Sequence, residues 1–197
     1  SVILQSAVNT LGSDAVASVT AASKISMFIV CPFDSMGATM ATYGGQNAGG
    51  YKLDRLHKGL GSCIILGAVY SVIGLLIIAA FGPHLLKLFV SGSETGILAD
   101  AQHFLLINGL FYFPLALVNI VRFMIQGMGF GFFAIIAGVL EMAARTLVGA
   151  VFVPIFGYNA ACFASPLAWI FADCFLIPAY FVVWNRMKRH KEAYRQV

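Results

Sequence analysis

Residues 59–83 read GLGSCIILGAVYSVIGLLIIAAFGP, a run without one charged side chain, held between Lys58 and His84. A helix rises about 1.5 Å per residue, so about 20 apolar residues cross a hydrocarbon layer ~30 Å thick. This run is long enough to do so. Four more stretches of the same kind lie at residues 15–43, about 104–126, about 130–154 and about 159–184. Each carries few charges: Lys24 and Asp34 in the first, Arg122 in the second, Glu141 and Arg145 in the third, Asp173 in the fourth.

The composition agrees. Of the 197 residues, 60% are hydrophobic and only 10% charged, and the mean hydropathy is +0.88. A soluble domain of this size cannot bury that much apolar surface, and a disordered chain lacks it altogether. Four scattered cysteines do not make a disulfide scaffold. The net charge of +4 points to an anionic lipid surface and not to nucleic acid. The expected fold class is therefore an all-α membrane protein, a polytopic bundle with short loops and antiparallel neighbours.

Basic residues collect on the cytoplasmic side of membrane proteins. Lys52, Arg55 and Lys58 follow the first long span, Arg122 precedes the Gly127 turn, and Arg186, Lys188, Arg189, Lys191 and Arg195 fill the tail. With five crossings all nine fall on one face, leaving Lys87 opposite. The expectation is a multi-pass protein of a bacterial inner membrane with its C-terminus in the cytoplasm. Residues 1–185 form the transmembrane lobe and residues 186–197 a basic cytoplasmic tail. Residues 1–11 are apolar yet reach only about 16 Å, half a crossing. They read as the C-terminal half of one more helix, so the chain is expected to be a fragment.

Glycine and proline mark the expected span ends: Gly12, Gly44-Gly45, Gly82-Pro83, Gly127 to Gly129, and Pro154 to Gly157. The GGQNAGG stretch at 44–50 reads as a tight cytoplasmic turn. Residues 51–58 place Leu53 and Leu56 on one face among basic residues, as an interfacial helix or a solvated helix end would. Pro32, Pro114, Pro166 and Pro178 predict bends within spans. Ala160, Ala164, Ala168 and Ala172 recur every fourth residue, a seam for close helix contact.

Enzyme chemistry is not indicated. The cysteines lack paired spacing and read as packing residues, no H-E-x-x-H or G-x-S-x-G occurs, and the glycine run has no phosphate-loop lysine. The informative residues are the ionisable ones inside the bilayer, which cost roughly 2.5–3.5 kcal/mol each at a helix centre and must face protein or water. Glu141 and Arg145 stand four apart and can pair, either as a structural lock or as a titratable site on a transport path. Lys24 and Asp173, about 13 and 21 Å into their spans, have no partner in their own helices. Asn119, Arg122 and Gln126 share a face and form a polar stripe, in which Arg122 either contributes or snorkels to lipid phosphates. The candidate pathway residues are Lys24, Asn119, Gln126, Glu141, Arg145 and Asp173. Met27, Met36 and Met40, with Phe28, Phe33, Phe111 and Tyr112, either line an apolar chamber or face lipid.

These motifs, in this order, resemble a known family. Gln5 to Gly12 followed by Ala15-Val16-Ala17, then Gly45-Gln46-Asn47-Ala48-Gly49, is similar to the second half of a MATE multidrug and toxin extrusion transporter. Arg122-x-x-x-Gln126-Gly127-x-Gly129, Glu141-x-x-x-Arg145 and Ala164 to Trp169 with Asp173 fit as well, particularly its DinF-like branch. The resemblance implies one lobe of a twelve-helix, two-lobe antiporter. It implies export of organic, usually cationic, compounds in exchange for Na⁺ or H⁺, with no other cofactor. The coupling-ion site would lie in the missing N-terminal six-helix lobe, this chain's implied partner along with the bilayer and the substrates. The related lipid and polysaccharide flippases share the fold, and a non-transporting scaffold subunit is the reading from a different class.

Overall fold

The structure, a computed structural model, describes residues 2–91 and 94–194, and among them every regular element is a helix. The short α1 (Val2–Asn9) is followed by α2 (Ser13–Gly49) and α3 (Leu53–Leu86). Next come α4 (Thr95–Leu110), α5 (Tyr112–Gly127) and α6 (Gly131–Leu147). A π-helical turn (Val148–Phe152), the short α7 (Val153–Phe156) and α8 (Tyr158–Tyr194) complete the order. Four stretches are long and apolar enough to cross a membrane as single helices, and α4 with α5 makes a fifth as a bent pair. This is the expected all-α bundle of five crossings with a short apolar helix ahead of them.

Two sequence expectations fail at glycines, for one reason. The 44–50 stretch is not a turn: α2 runs through it to Gly49. Its glycines let α2 lie against α5. A Cβ on Gly44 would sit 3.0 Å from the Met124 carbonyl oxygen, one on Gly45 3.3 Å from the Gly127 oxygen, and one on Gly127 would overlap the Ala41 carbonyl. Small residues permit such close helix contact in membranes, where no hydrophobic force drives helices together. Likewise α3 continues through Gly82 and Pro83 to Leu86, and Gly82 accommodates the Gln102 side chain, whose Nε2 donates to the Ile78 carbonyl at 3.1 Å. The other punctuation holds: Gly12, Gly129 and Gly157 have positive φ, where a Cβ is disfavoured.

Residues 53–58 are the opening turns of α3, with Leu53 and Leu56 buried, so no separate interfacial helix forms. The Tyr43 hydroxyl of α2 donates to the Arg55 carbonyl at 2.8 Å and pins that end. The expected span at 104–126 is broken: α4 begins earlier, at Thr95, and meets α5 at Phe111 with a 51° bend. Pro114 sits in the first turn of α5, where its missing N–H costs nothing, and cannot continue the helix from Leu110. Pro154 acts differently. It cannot donate to the Ala150 carbonyl and its ring would crowd it, and the backbone widens into the π turn there. Pro32, Pro166 and Pro178 lie inside helices that run on unbroken.

The alanine seam on α8 is buried throughout, at Ala160, Ala164, Ala168 and Ala172. Phe33, Met40 and Tyr112 belong to the core, Phe33 packing edge-on to Tyr70 at 5.1 Å, whereas Met27 and Phe28 are exposed. Cys63 and Cys162 are buried packing residues, but Cys31 and Cys174 are exposed.

The two ends of the bundle are distinct. At one, Gly45 meets Gly127, Arg186 lies 5.7 Å over the Phe130 ring, and the His57 ring packs tilted against Trp184 at 5.2 Å. Lys52, Arg55, Lys58, Arg186, Lys188, Arg189 and Lys191 therefore gather there, while Arg195 lies outside the described residues. At the other end, the Ser18 hydroxyl donates to the Ile97 carbonyl and the Tyr158 hydroxyl to that of Asp100.

Candidate functional site

Three helices bring charge into the interior of this bundle. Arg122 on α5 donates to the Glu141 carboxylate on α6 through its terminal nitrogen. Arg145, one turn further along α6, approaches the second oxygen of Glu141 at 3.5 Å. Asp173 lies on α8, which packs against both α5 and α6. Glu141 is 9% exposed and Asp173 7%. The short turn between α5 and α6 makes the first two helices neighbours, and α8 packs against both.

The arrangement corrects the reading of two residues. Glu141 and Arg145 do pair along one helix, but the hydrogen bond to Glu141 comes from Arg122. Arg122, left out of the candidate set, is at the centre of the cluster and does not snorkel to lipid. Its signal was present in the Asn119–Arg122–Gln126 spacing. That stripe divides: Asn119 is buried one turn from Arg122, and Gln126 is exposed.

The cluster is not fully satisfied. Asp173 Oδ1, Arg122 Nε and Arg145 Nε are buried without a hydrogen-bond partner among the described residues. Two guanidiniums converge on one glutamate, while the buried Asp173 on α8 has an oxygen unused. A buried carboxylate oxygen without a donor is costly.

Lys24 is not part of this cluster. A helical side chain leans toward its helix N-terminus, which carries Lys24 toward the N-terminal end of α2, where its ammonium lies 5.5 Å from the Phe89 ring centroid. It lines a cavity of about 660 Å³ with Asn9, Thr20, Phe89, Ser91 and Glu94. A second cavity, about 400 Å³, opens at the basic end between Gly45, Gly129, Met187 and His190. No group of three or more His, Cys, Asp or Glu side chains is placed to hold a metal among the described residues.

A family model, MatE, matches residues 1–155. The chain belongs to the MatE family. No curated protein matches its sequence. Among solved structures, it is similar to the outward-facing conformation of a multidrug resistance MATE family transporter of the MOP superfamily. There the TM-score is 0.86 at 19% identity, over 95% of this chain and 42% of that one. The inward-facing conformation of a transporter so described gives 0.78 at 20% identity, over 96% of this chain and 44% of that one. A MOP superfamily transporter from Pyrococcus furiosus gives 0.78 at 19%, over 92% and 40%. At such identities the likeness is one of fold. This MatE chain spans less than half the length of the transporters it matches. The family match takes in Lys24, Asn119, Arg122, Gln126, Glu141 and Arg145 but ends before α8, so Asp173 lies beyond it.

Proposed function

We propose that this MatE chain is one lobe of a secondary antiporter, of the DinF-like branch, that exports organic and usually cationic compounds in exchange for Na⁺ or H⁺. The observation that carries this reading is the Arg122–Glu141–Arg145 cluster, with the buried Asp173 on a neighbouring helix of the membrane bundle. Charges inside a membrane protein are expensive to keep, and groups of them commonly mark ion or substrate paths. Helix packing does not call for them here, since the alanine seam of α8 already provides close contact. The fold shared with MATE transporters and the matched family model support the same reading. The partner is a second six-helix lobe, with the coupling-ion site there. The membrane is a bacterial inner membrane, with the basic end and the C-terminus in the cytoplasm. No organic cofactor is needed, because exchange is driven by the ion gradient alone.

The test is export by the full-length protein in a drug-hypersensitive host. Wild type is expected to restore resistance, and Asp173→Asn or Lys24→Met to impair it while the protein still inserts at normal levels. Full resistance in both variants would return these residues to a purely structural role. A scaffold subunit would give no resistance even as wild type.

A further inference from the structure

We propose that the groove between α3, α5 and α8, at the basic end of the bundle, binds an anionic glycerophospholipid. One acyl chain lies in the groove and the phosphate sits at its mouth. The site stands apart from the Arg122–Glu141–Arg145 cluster and does not depend on the exporter reading.

The groove exists because α5 packs against both α3 and α8, while α3 and α8 hardly touch each other. The gap between them is a cavity of about 290 Å³ with apolar walls, among them Gly61 and Ile64 of α3, Val121 of α5, and Ile177 and Phe181 of α8. Gly61 keeps it open, since a Cβ there would meet nothing within 4 Å. The surfaces beside the groove are exposed and apolar, with Ile65 and Leu66 on α3 and Val182 on α8. On spans of a membrane bundle such surfaces face lipid tails, so the groove is continuous with the bilayer. From His57 to Ile64 helix α3 advances about 10 Å, less than half of a ~30 Å hydrocarbon core. The groove therefore stays within one leaflet.

Its mouth has a different chemistry. His57 closes the groove there, with the Tyr180 hydroxyl 3.5 Å from its Nδ1 and the Trp184 ring centroid 5.2 Å from its own. Tyr and Trp collect at the headgroup level because each joins an apolar ring to a polar tip. Exposed Lys58 follows His57, and exposed Lys188 lies one turn past Trp184 on the same face of α8. Arg55 and Lys191 add to them against Asp54 and Glu192, so this end is basic on balance. Basic pockets between spanning helices attract anionic headgroups. A free phosphate would leave the apolar slot empty, and a zwitterionic lipid would leave the basic excess unanswered. An anionic phospholipid meets both.

The test is tryptophan quenching of the full-length protein in phosphatidylcholine nanodiscs. The probe is phosphatidylglycerol, or phosphatidylcholine, with a nitroxide near the top of one acyl chain. A nitroxide quenches an indole only at short range, so the signal is the part of the emission that Trp184→Phe removes. The phosphatidylglycerol probe is expected to act at a mole fraction roughly fivefold or more below that of the phosphatidylcholine probe, the scale of one lysine–lipid attraction. Gly61→Leu fills the groove and should abolish that advantage, while Gly138→Leu, the same addition at an open site on α6, should preserve it. Leucine is the better helix former, so both variants should fold. Lys58→Gln/Lys188→Gln should bring the two probes to the same level. Unlabelled phosphatidylglycerol should displace the probe and inorganic phosphate should not. Equal quenching by the two probes in wild type would overturn the proposal. So would displacement by inorganic phosphate, a Gly61→Leu variant that behaves as wild type, or a loss as great in Gly138→Leu.

Discussion

Arg122 of α5 and Glu141 of α6 form an ion pair across the turn that joins their helices, although Glu141 has Arg145 within reach on its own helix. The inter-helix contact is the hydrogen-bonded one. It ties α5 to α6, and it makes the two arginines unequal.

That inequality is measurable. Breaking a buried pair by removing one partner costs about 3–5 kcal/mol, whereas an i, i+4 pair contributes well under 1 kcal/mol. Arg122→Gln is expected to lower the thermal stability of the purified protein clearly more than Arg145→Gln does. In the double variant Arg122→Gln/Glu141→Gln the loss should be smaller than the sum of the two single losses, because the glutamate is no longer left behind. Equal shifts from the two arginines would show that Arg122 is not the main partner.

The α2–α5 crossing makes a second prediction. A Cβ at Gly127 would overlap the Ala41 carbonyl, while one at Gly138 on α6 meets nothing within 4 Å. Overpacking costs about 1–3 kcal/mol, and an alanine in an open helical site is neutral or slightly favourable. Gly127→Ala should therefore destabilise the protein in a detergent melt and Gly138→Ala should not. A neutral Gly127→Ala would mean that the two helices do not approach as closely as described.

Lys24 should separate stability from activity. Its described contact is with the Phe89 ring, of the kind that contributes about 0.5–1 kcal/mol at exposed sites. Lys24→Met is expected to melt close to wild type and yet impair export through the cavity it lines. A large loss of stability would instead make Lys24 a structural residue.

The two ends of the bundle predict labelling. In a background without the four native cysteines, Lys58→Cys and Lys188→Cys should react with an impermeant thiol reagent from the same side of the membrane. Lys87→Cys should react from the opposite side. Labelling of Lys58→Cys and Lys188→Cys from different sides would rule out the arrangement of crossings.

Much of this architecture is legible in one dimension. Span length follows from runs of apolar residues, because every backbone group in lipid must be satisfied within its own helix. The shared end of the basic residues follows from counting crossings. The alanine seam and the Glu141–Arg145 pair follow from a helical repeat that puts every fourth residue on one face. Local chemistry was legible wherever partner and residue belong to the same helix.

What tertiary structure alone decided lies between helices. The GGQNAGG stretch has turn composition, and only the approach of Met124 and Gly127 shows that its glycines serve contact and not a turn. In the sequence Arg122 has a polar stripe with Asn119 and Gln126 or lipid phosphates open to it, and the rotation of α5 against α6 brings it to Glu141 instead. The bend at Phe111 needs both Pro114 and the neighbours that hold α4 and α5 apart in direction. Intrahelical order repeats at a fixed spacing, so the sequence by itself determined the crossings and their faces. Which faces meet depends on rotation and depth, and those are set by packing the whole bundle at once.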